Sequence, residues 1–231
     1  MKDKSIKQLE KNIHSIQEKV TKHEKEKAKI VAVTKTVSTD VMKQMHQLGL
    51  NVFGENRANV LEEKLEVLQD IKDEIEWHFI GRLQTRPVRK IINQIDYLHS
   101  LDRLSLAKEI QKRAEHTIKC FVQVNVSGEE SKTGLSPNEL QSFITELAKF
   151  DKIEVVGLMT MAPIDATDEE LHKQFSTLKQ CQLQIEKLNL MHAPCHELSM
   201  GMSRDYLIAL EEGATTIRIG TAFYQGIEDK G

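Results

Sequence analysis

A closed (β/α)₈ TIM barrel is the fold class this sequence predicts, on three observations. Beyond residue 29 short β-branched runs alternate with longer helical patterns, which implies a parallel sheet with helices outside it. Eight such units can be read in the 231 residues, a length close to the ~250 typical of the closed barrel. The Gly-rich G-x-G-x-x-G turn that an open doubly wound sheet carries after its first strand is missing, and Thr34-Lys35-Thr36 stands there instead.

The elements follow in order. Residues 1–29 are dense in Lys and Glu, and Ile6, Leu9, Ile13, Ile16 and Val20 recur at steps of three and four, one face of a helix. The intervening charges have both signs, so this is an extra N-terminal helix packed on the domain rather than a membrane-surface helix, and it lacks the apolar stretch of a signal peptide. Strands are expected at Ile30–Thr34, Val52–Gly54, Trp77–Ile80, Tyr97–Ser100, Lys119–Asn125, Glu154–Met159, Cys195–Ser199 and Thr215–Ile219. Helices are expected at Thr39–Leu48, Arg57–Asp70, Thr85–Gln94, Arg103–His116, Pro137–Phe150, Asp168–Leu188 and Ser203–Glu212, with a weak one after Gly220. No Pro/Gly/Ser-rich linker interrupts the series, so residues 1–231 read as one domain.

Composition narrows the function. A formal net charge of −3 argues against a nucleic-acid binder held by a basic surface. A hydrophobic share of 39% and a charged share of 29% suit a soluble globular chain, and no apolar run approaches the roughly 18–20 residues that span a bilayer. The three cysteines, Cys120, Cys181 and Cys195, are odd in number and far apart, which suits a reducing cytoplasm rather than a disulfide framework. His192, Cys195 and His196 cluster, but they straddle the start of a strand where side chains alternate faces, so no metal site is expected.

Barrel chemistry is built at the C-terminal ends of strands. Ser199-Met200-Gly201-Met202-Ser203 after the seventh and Gly220-Thr221 after the eighth combine glycines, which let backbone N–H groups approach an anion, with hydroxyls that donate. Barrels frequently bind phosphate at this pair of loops, although Ser199, Ser203 and Thr221 can equally be caps and turns, with Ser203 the N-cap of the next helix. Lys35 follows the apolar run Ile30–Thr34. At a barrel mouth it would be partly desolvated, and desolvation pulls an ammonium below its usual ~10.4 toward the free amine that Schiff-base chemistry requires; a solvated strand-end lysine is the plainer alternative. A nucleophilic lysine with a phosphate cradle is the pairing pyridoxal phosphate needs. Arg218, a donor that is always charged, would face the cofactor's ring nitrogen and leave it unprotonated.

At these residues the chain resembles the pyridoxal phosphate homeostasis protein family, single-domain barrels related to the N-terminal domain of bacterial alanine racemases (PLP fold type III). The segments that carry the resemblance are Ala32-Val33-Thr34-Lys35, Phe53-Gly54-Glu55-Asn56, Trp77-His78-Phe79-Ile80-Gly81 with Leu83-Gln84, Gly157-Leu158-Met159-Thr160-Met161, Leu198 to Asp205, and Ile217-Arg218-Ile219-Gly220-Thr221. The resemblance implies Lys35 as the lysine joined to pyridoxal 5′-phosphate and Arg218 at the ring nitrogen. It further implies Ser199, Ser203, Gly220 and Thr221 around the phosphate, Asn56 beside the cofactor, and His78 and Met200 flanking it. Asn125 to Gly134, with Lys132, looks like the family's flexible loop at the mouth. Many members have Asn-Lys after Leu-Gln-x, whereas Arg86-Pro87 follows here, so a basic role there would fall to Arg86 or Arg89.

The racemases add a β-rich domain, for which this chain has no room, and a tyrosine from the partner subunit opposite the lysine, whereas none of Tyr97, Tyr206 and Tyr224 is an obvious opposite-face acid. The expectation is therefore a cytoplasmic carrier and buffer of pyridoxal phosphate, with pyridoxal-phosphate-dependent apoenzymes as partners, no nucleic acid or membrane, and a monomeric or weakly dimeric state. The alternatives are an amino-acid racemase or lyase dependent on the same cofactor, or a phosphate-ester aldolase or isomerase using Lys35 as its Schiff-base amine. Glu55 is expected to be an ion-pair partner rather than an acid catalyst.

Overall fold

The computed structural model describes residues 3–25, 27–129 and 133–227. Helix α1 (Asp3–His23) precedes a repeating series: β1 (Lys29–Val33), α2 (Thr39–Gln47), β2 (Val52–Glu55), α3 (Ala58–Val67), β3 (Glu76–Phe79), α4 (Val88–Ile91), β4 (Tyr97–Leu101) and α5 (Leu104–Arg113). It continues with β5 (Ile118–Gln123), α6 (Pro137–Leu147), β6 (Ile153–Met159), α7 (Asp168–Glu186), β7 (Glu197–Met202), α8 (Tyr206–Glu211) and β8 (Thr216–Ile219). The strands close in sequence order into a parallel barrel, the last pairing with the first through Ile30↔Ile217, Val31↔Arg218 and Ala32↔Ile219.

Alternation along each strand sorts side chains between two environments. Ala32, Phe53, Trp77, Leu98, Cys120, Val155, Leu198 and Ile217 join the large core between sheet and helices. Tyr97, Phe121, Val156 and Met159 form a separate cluster inside the barrel. Three of the four inner aliphatic or aromatic plugs are large, so the interior is packed, and it shares that space with buried polar side chains.

Local signals set the boundaries. Thr167 and Glu170 form a capping box at the start of α7: the Thr167 N–H donates to Glu170 Oε2 at 2.7 Å and the Glu170 N–H to Thr167 Oγ1 at 3.3 Å. In α1 the expected face is buried at Leu9, Ile13, Ile16 and Val20, each burial worth about 1.5–3 kcal/mol.

Four expectations change. The fifth strand ends at Gln123, because Leu135 returns to pair with Gln123 and leaves Asn125 in the loop. The helix expected over Thr85–Gln94 shortens to α4 plus one 3₁₀ turn at Ile92–Gln94. Ser203 is not an N-cap, since Asp205 holds that position and accepts the Met202 N–H at 2.6 Å. No helix follows Gly220 among the described residues. Phe223 is buried there, Gly226 turns at φ +76°, and Asn12 of α1 donates to the carbonyls of Phe223 and Gln225 at 2.8 and 2.9 Å. Helix α1 thus covers the end of the barrel where an eighth outer helix was expected.

Candidate functional site

β1 ends at Val33, and the next residue, Thr34, faces outward to α3. The buried Thr34 hydroxyl donates to Glu55 Oε1 at 2.5 Å, while Lys64 Nζ donates to the Thr34 carbonyl at 2.6 Å and to Glu55 Oε1 at 2.7 Å. Glu55 is fully buried, and Lys64 is its ion-pair partner, as expected of a structural carboxylate. Lys35 is therefore the first residue released from the sheet, and its side chain is exposed. The desolvation expected of it is absent, because Lys35 begins the turn beyond the strand end.

The eighth strand runs alongside. A Cβ on Gly220 would meet Val33 Cβ at 3.4 Å and the Val33 carbonyl at 3.5 Å, so this loop packs on the strand that delivers Lys35. Ser203 joins the corner, its Oγ accepting the N–H groups of Gly220 at 3.1 Å and Ala222 at 3.3 Å. Thr221 is exposed beside them. Gly201 carries the turn into this loop at φ +93°, where an added Cβ would lie 2.6 Å from Ala209 Cβ. On the far side of β1, Asn56 is half-buried, and its Oδ1 is buried without a hydrogen-bond partner among the described residues. An orphaned acceptor of that kind fits a polar ligand.

Arg218 is 3% exposed and lies below this corner. Nη1 donates to Ser199 Oγ at 2.5 Å and Nη2 to the Thr160 carbonyl at 2.9 Å. Burial pushes its guanidinium down to about 10, opposed by the through-space charge of Asp205.

Three expected residues stand elsewhere. Ser199 is fully buried and points into the barrel toward Arg218 and His99, not outward to the phosphate loops. Met200, next along β7, faces the opposite way into the core between sheet and helices. His78 lies inside the barrel, stacked on Tyr97 at 4.3 Å. The period of two accounts for all three: Ser199 and His78 face into the barrel, and Met200 faces away from it. Lys132 lies outside the described residues, whereas Arg86 and Arg89 are described and exposed.

Sequence reasoning missed Lys64 and His99. Nothing in a helical lysine marks it as buried. His99, however, shares an inner face with Tyr97 on β4, and alternation alone could have drawn attention to it.

Comparison with known proteins adds to this geometry. The family model of the alanine racemase N-terminal domain matches residues 5–227. The pyridoxal phosphate homeostasis protein of Aquifex aeolicus is 40% identical over 200 residues, covering 85% of this chain and 86% of that protein. The protein of the same name from Pasteurella multocida is 32% identical and covers 96% of each chain. Among solved structures, PipY of Synechococcus elongatus with PLP bound superposes with a TM-score of 0.84 at 27% identity, covering 94% of this chain and 99% of PipY. Alanine racemase of Corynebacterium glutamicum shares the fold at 18% identity and a TM-score of 0.75, the match covering 97% of this chain and 64% of the racemase.

Proposed function

This chain belongs to the pyridoxal phosphate homeostasis protein family, within the wider alanine racemase N-terminal domain family, and from that premise we propose that it binds pyridoxal 5′-phosphate through Lys35 and buffers or delivers it. The observation that carries this reading is the packing of Gly220 against Val33, which sets an anion-binding corner next to the strand bearing the lysine. Ser203, Gly220 and Thr221 hold the phosphate, Asn56 lends its unpaired acceptor, and Arg218 faces the ring nitrogen. Ser199 acts one layer deeper, on Arg218. When bound, pyridoxal phosphate supplies an aldehyde that a primary amine joins as a Schiff base with loss of water, and Lys35 is that amine.

Two features favour a carrier over an enzyme. A buried arginine, donor only, keeps the ring nitrogen unprotonated and weakens the ring as an electron sink. The tyrosine hydroxyls are committed or remote: Tyr224 donates to the Val33 carbonyl at 2.9 Å, Tyr97 lies inside the barrel, and Tyr206 is buried under α8. The protein acts in the cytoplasm as a monomer or weak dimer, and its partners are pyridoxal-phosphate-dependent apoenzymes rather than nucleic acid or membrane. Among the described residues no helix is long and apolar enough to cross a membrane.

Absorption spectroscopy tests this. Protein mixed with pyridoxal phosphate should turn yellow and bleach with borohydride, leaving the pyridoxyl group on Lys35 by peptide mapping. Lys35→Ala should lose the band while keeping its fold. A colourless wild type overturns the binding reading. Interconversion of D- and L-amino acids at an ordinary enzymatic rate, abolished in Lys35→Ala, replaces the carrier with a racemase.

A further inference from the structure

A continuous hydrogen-bonded chain crosses the barrel interior from Arg218 to the opposite mouth. Ser199 Oγ lies 2.8 Å from His99 Nδ1, His99 Nε2 lies 2.7 Å from His78 Nδ1, and His78 Nε2 lies 2.8 Å from Glu76 Oε1. Arg218, Ser199, His99 and His78 are at most 3% exposed. Glu76 opens β3 at the N-terminal end, where Lys29 Nζ also binds its Oε1 at 2.7 Å.

With both rings neutral, the two ends fix the direction of every link. Arginine only donates and an ionised carboxylate only accepts. Ser199 Oγ therefore accepts from Arg218, and its own proton has His99 Nδ1 as acceptor. His99 then donates from Nε2 to His78 Nδ1, and His78 donates from Nε2 to Glu76. The pattern needs both imidazoles neutral with the proton on Nε2. Burial pushes both histidines down, and the cations Arg218 and Lys29 add to the effect on His99. The surroundings agree: Phe121 packs on His99 at 4.5 Å and Tyr97 on His78, and Lys29 and Asp96 face His78 as opposed charges.

In this arrangement the dipoles run head to tail, with the acceptor end at a buried cation and the donor end at a carboxylate. Among the described residues Arg218 has no carboxylate in hydrogen-bond contact, only Ser199 and the Thr160 carbonyl. Aligned neutral groups in a low-dielectric interior strengthen one another and stabilise both terminal charges. We propose that His99 and His78 are positioning residues which couple the carboxylate of Glu76 to the guanidinium of Arg218, so that the electrostatics of the cofactor's ring-nitrogen site are set from the far mouth of the barrel. This coupling rests on the cofactor reading above; the relay itself does not.

Nitrogen-15 NMR of histidine-labelled protein, first without cofactor, reads the relay directly. Both rings should be neutral Nε2–H tautomers at neutral pH. Glu76→Gln should shift the nitrogen resonances of His99, which Glu76 does not touch, and move the absorption maximum of added pyridoxal phosphate bound to the protein. A charged ring, or a proton on Nδ1 of either histidine, overturns the proposal. So does a Glu76→Gln protein in which the His99 resonances or the bound-cofactor spectrum are unchanged. If Glu76→Gln does not fold, the wild-type tautomers and the shift of His99 on adding pyridoxal phosphate decide the matter, and an unshifted His99 refutes the coupling. A wild type that takes up no cofactor sinks the binding reading and the coupling with it, while the tautomers still report whether the relay exists.

Discussion

Lys64 Nζ and Glu55 Oε1 lie 2.7 Å apart beneath the end of β1, with both side chains withdrawn from solvent. The same ammonium also binds the Thr34 carbonyl, one residue before the lysine proposed to take the cofactor. Removing one member of a buried pair strands the other charge, typically at a cost of about 3–5 kcal/mol. Lys64→Met should lower the denaturation midpoint by that order, and Lys64→Met combined with Glu55→Met should recover part of it. Equal losses in the single and double variants would contradict the account.

Gly81 sits where β3 leaves the barrel. An added Cβ there would lie 2.1 Å from the Asn56 carbonyl oxygen, a backbone atom that cannot step aside alone. Gly81→Ala should cost about 1–3 kcal/mol through forced backbone displacement, and because it moves Asn56 it should also weaken pyridoxal phosphate binding in an equilibrium titration. A variant with wild-type melting temperature would show that the segment yields freely.

Acid sensitivity should begin early. His78 and His99 are held below their ordinary value by burial, so between that value and their folded ones the unfolded chain binds protons that the native state refuses. Their contribution is complete above ~6.5 and declines as pH falls beneath it. Glu76 extends the loss: burial alone would raise its carboxyl, but hydrogen bonds from His78 and Lys29 hold it at about 2. Its contribution is present above its ordinary ~4.3 and is lost as pH falls toward that lower value. Urea midpoints should drop as pH falls below about 6.5 and fall further below about pH 4.5. A flat profile down to about pH 5 would rule out two neutral buried imidazoles.

The thiols should be inert in the native protein. Cys120 and Cys195 are fully buried and Cys181 nearly so, and burial pushes all three thiols up, Cys195 to about 12. The thiolate is the reactive form. A thiol-reactive dye should label none of them until denaturant is added, and then all three. Rapid labelling of any one in buffer would mean that its segment opens locally.

The barrel was legible because alternation and strand count are properties of the chain itself. Eight β-branched runs at regular spacing leave few architectures, and the buried stripe Leu9-Ile13-Ile16-Val20 of α1 was readable from its spacing alone. The residues beyond strand ends that are proposed for the site, Lys35, Asn56, Ser203, Gly220 and Thr221, are read in the same way, from their position after a strand. Inside the strands that logic reversed. Ser199, Met200 and His78 belong to motif segments but point along the barrel wall, into it or away from it, according to a one-residue register that only the assembled sheet defines. Lys64 pairs with Glu55 across a helix–strand contact, and no spacing rule encodes that meeting.

Closure of the sheet between β1 and β8 has a consequence for the newborn chain. Lys35 leaves the ribosome well ahead of Arg218 and Gly220, and at about 5–20 residues per second the interval is roughly 10–40 s. Throughout it the first strand has a neighbour on one flank only, and the loops that would grip an anion have not been translated. Loading with vitamin, on the proposed reading, is thus deferred until the eighth strand is made, so a nascent chain cut short of it carries the proposed amine yet has nowhere to seat its cargo.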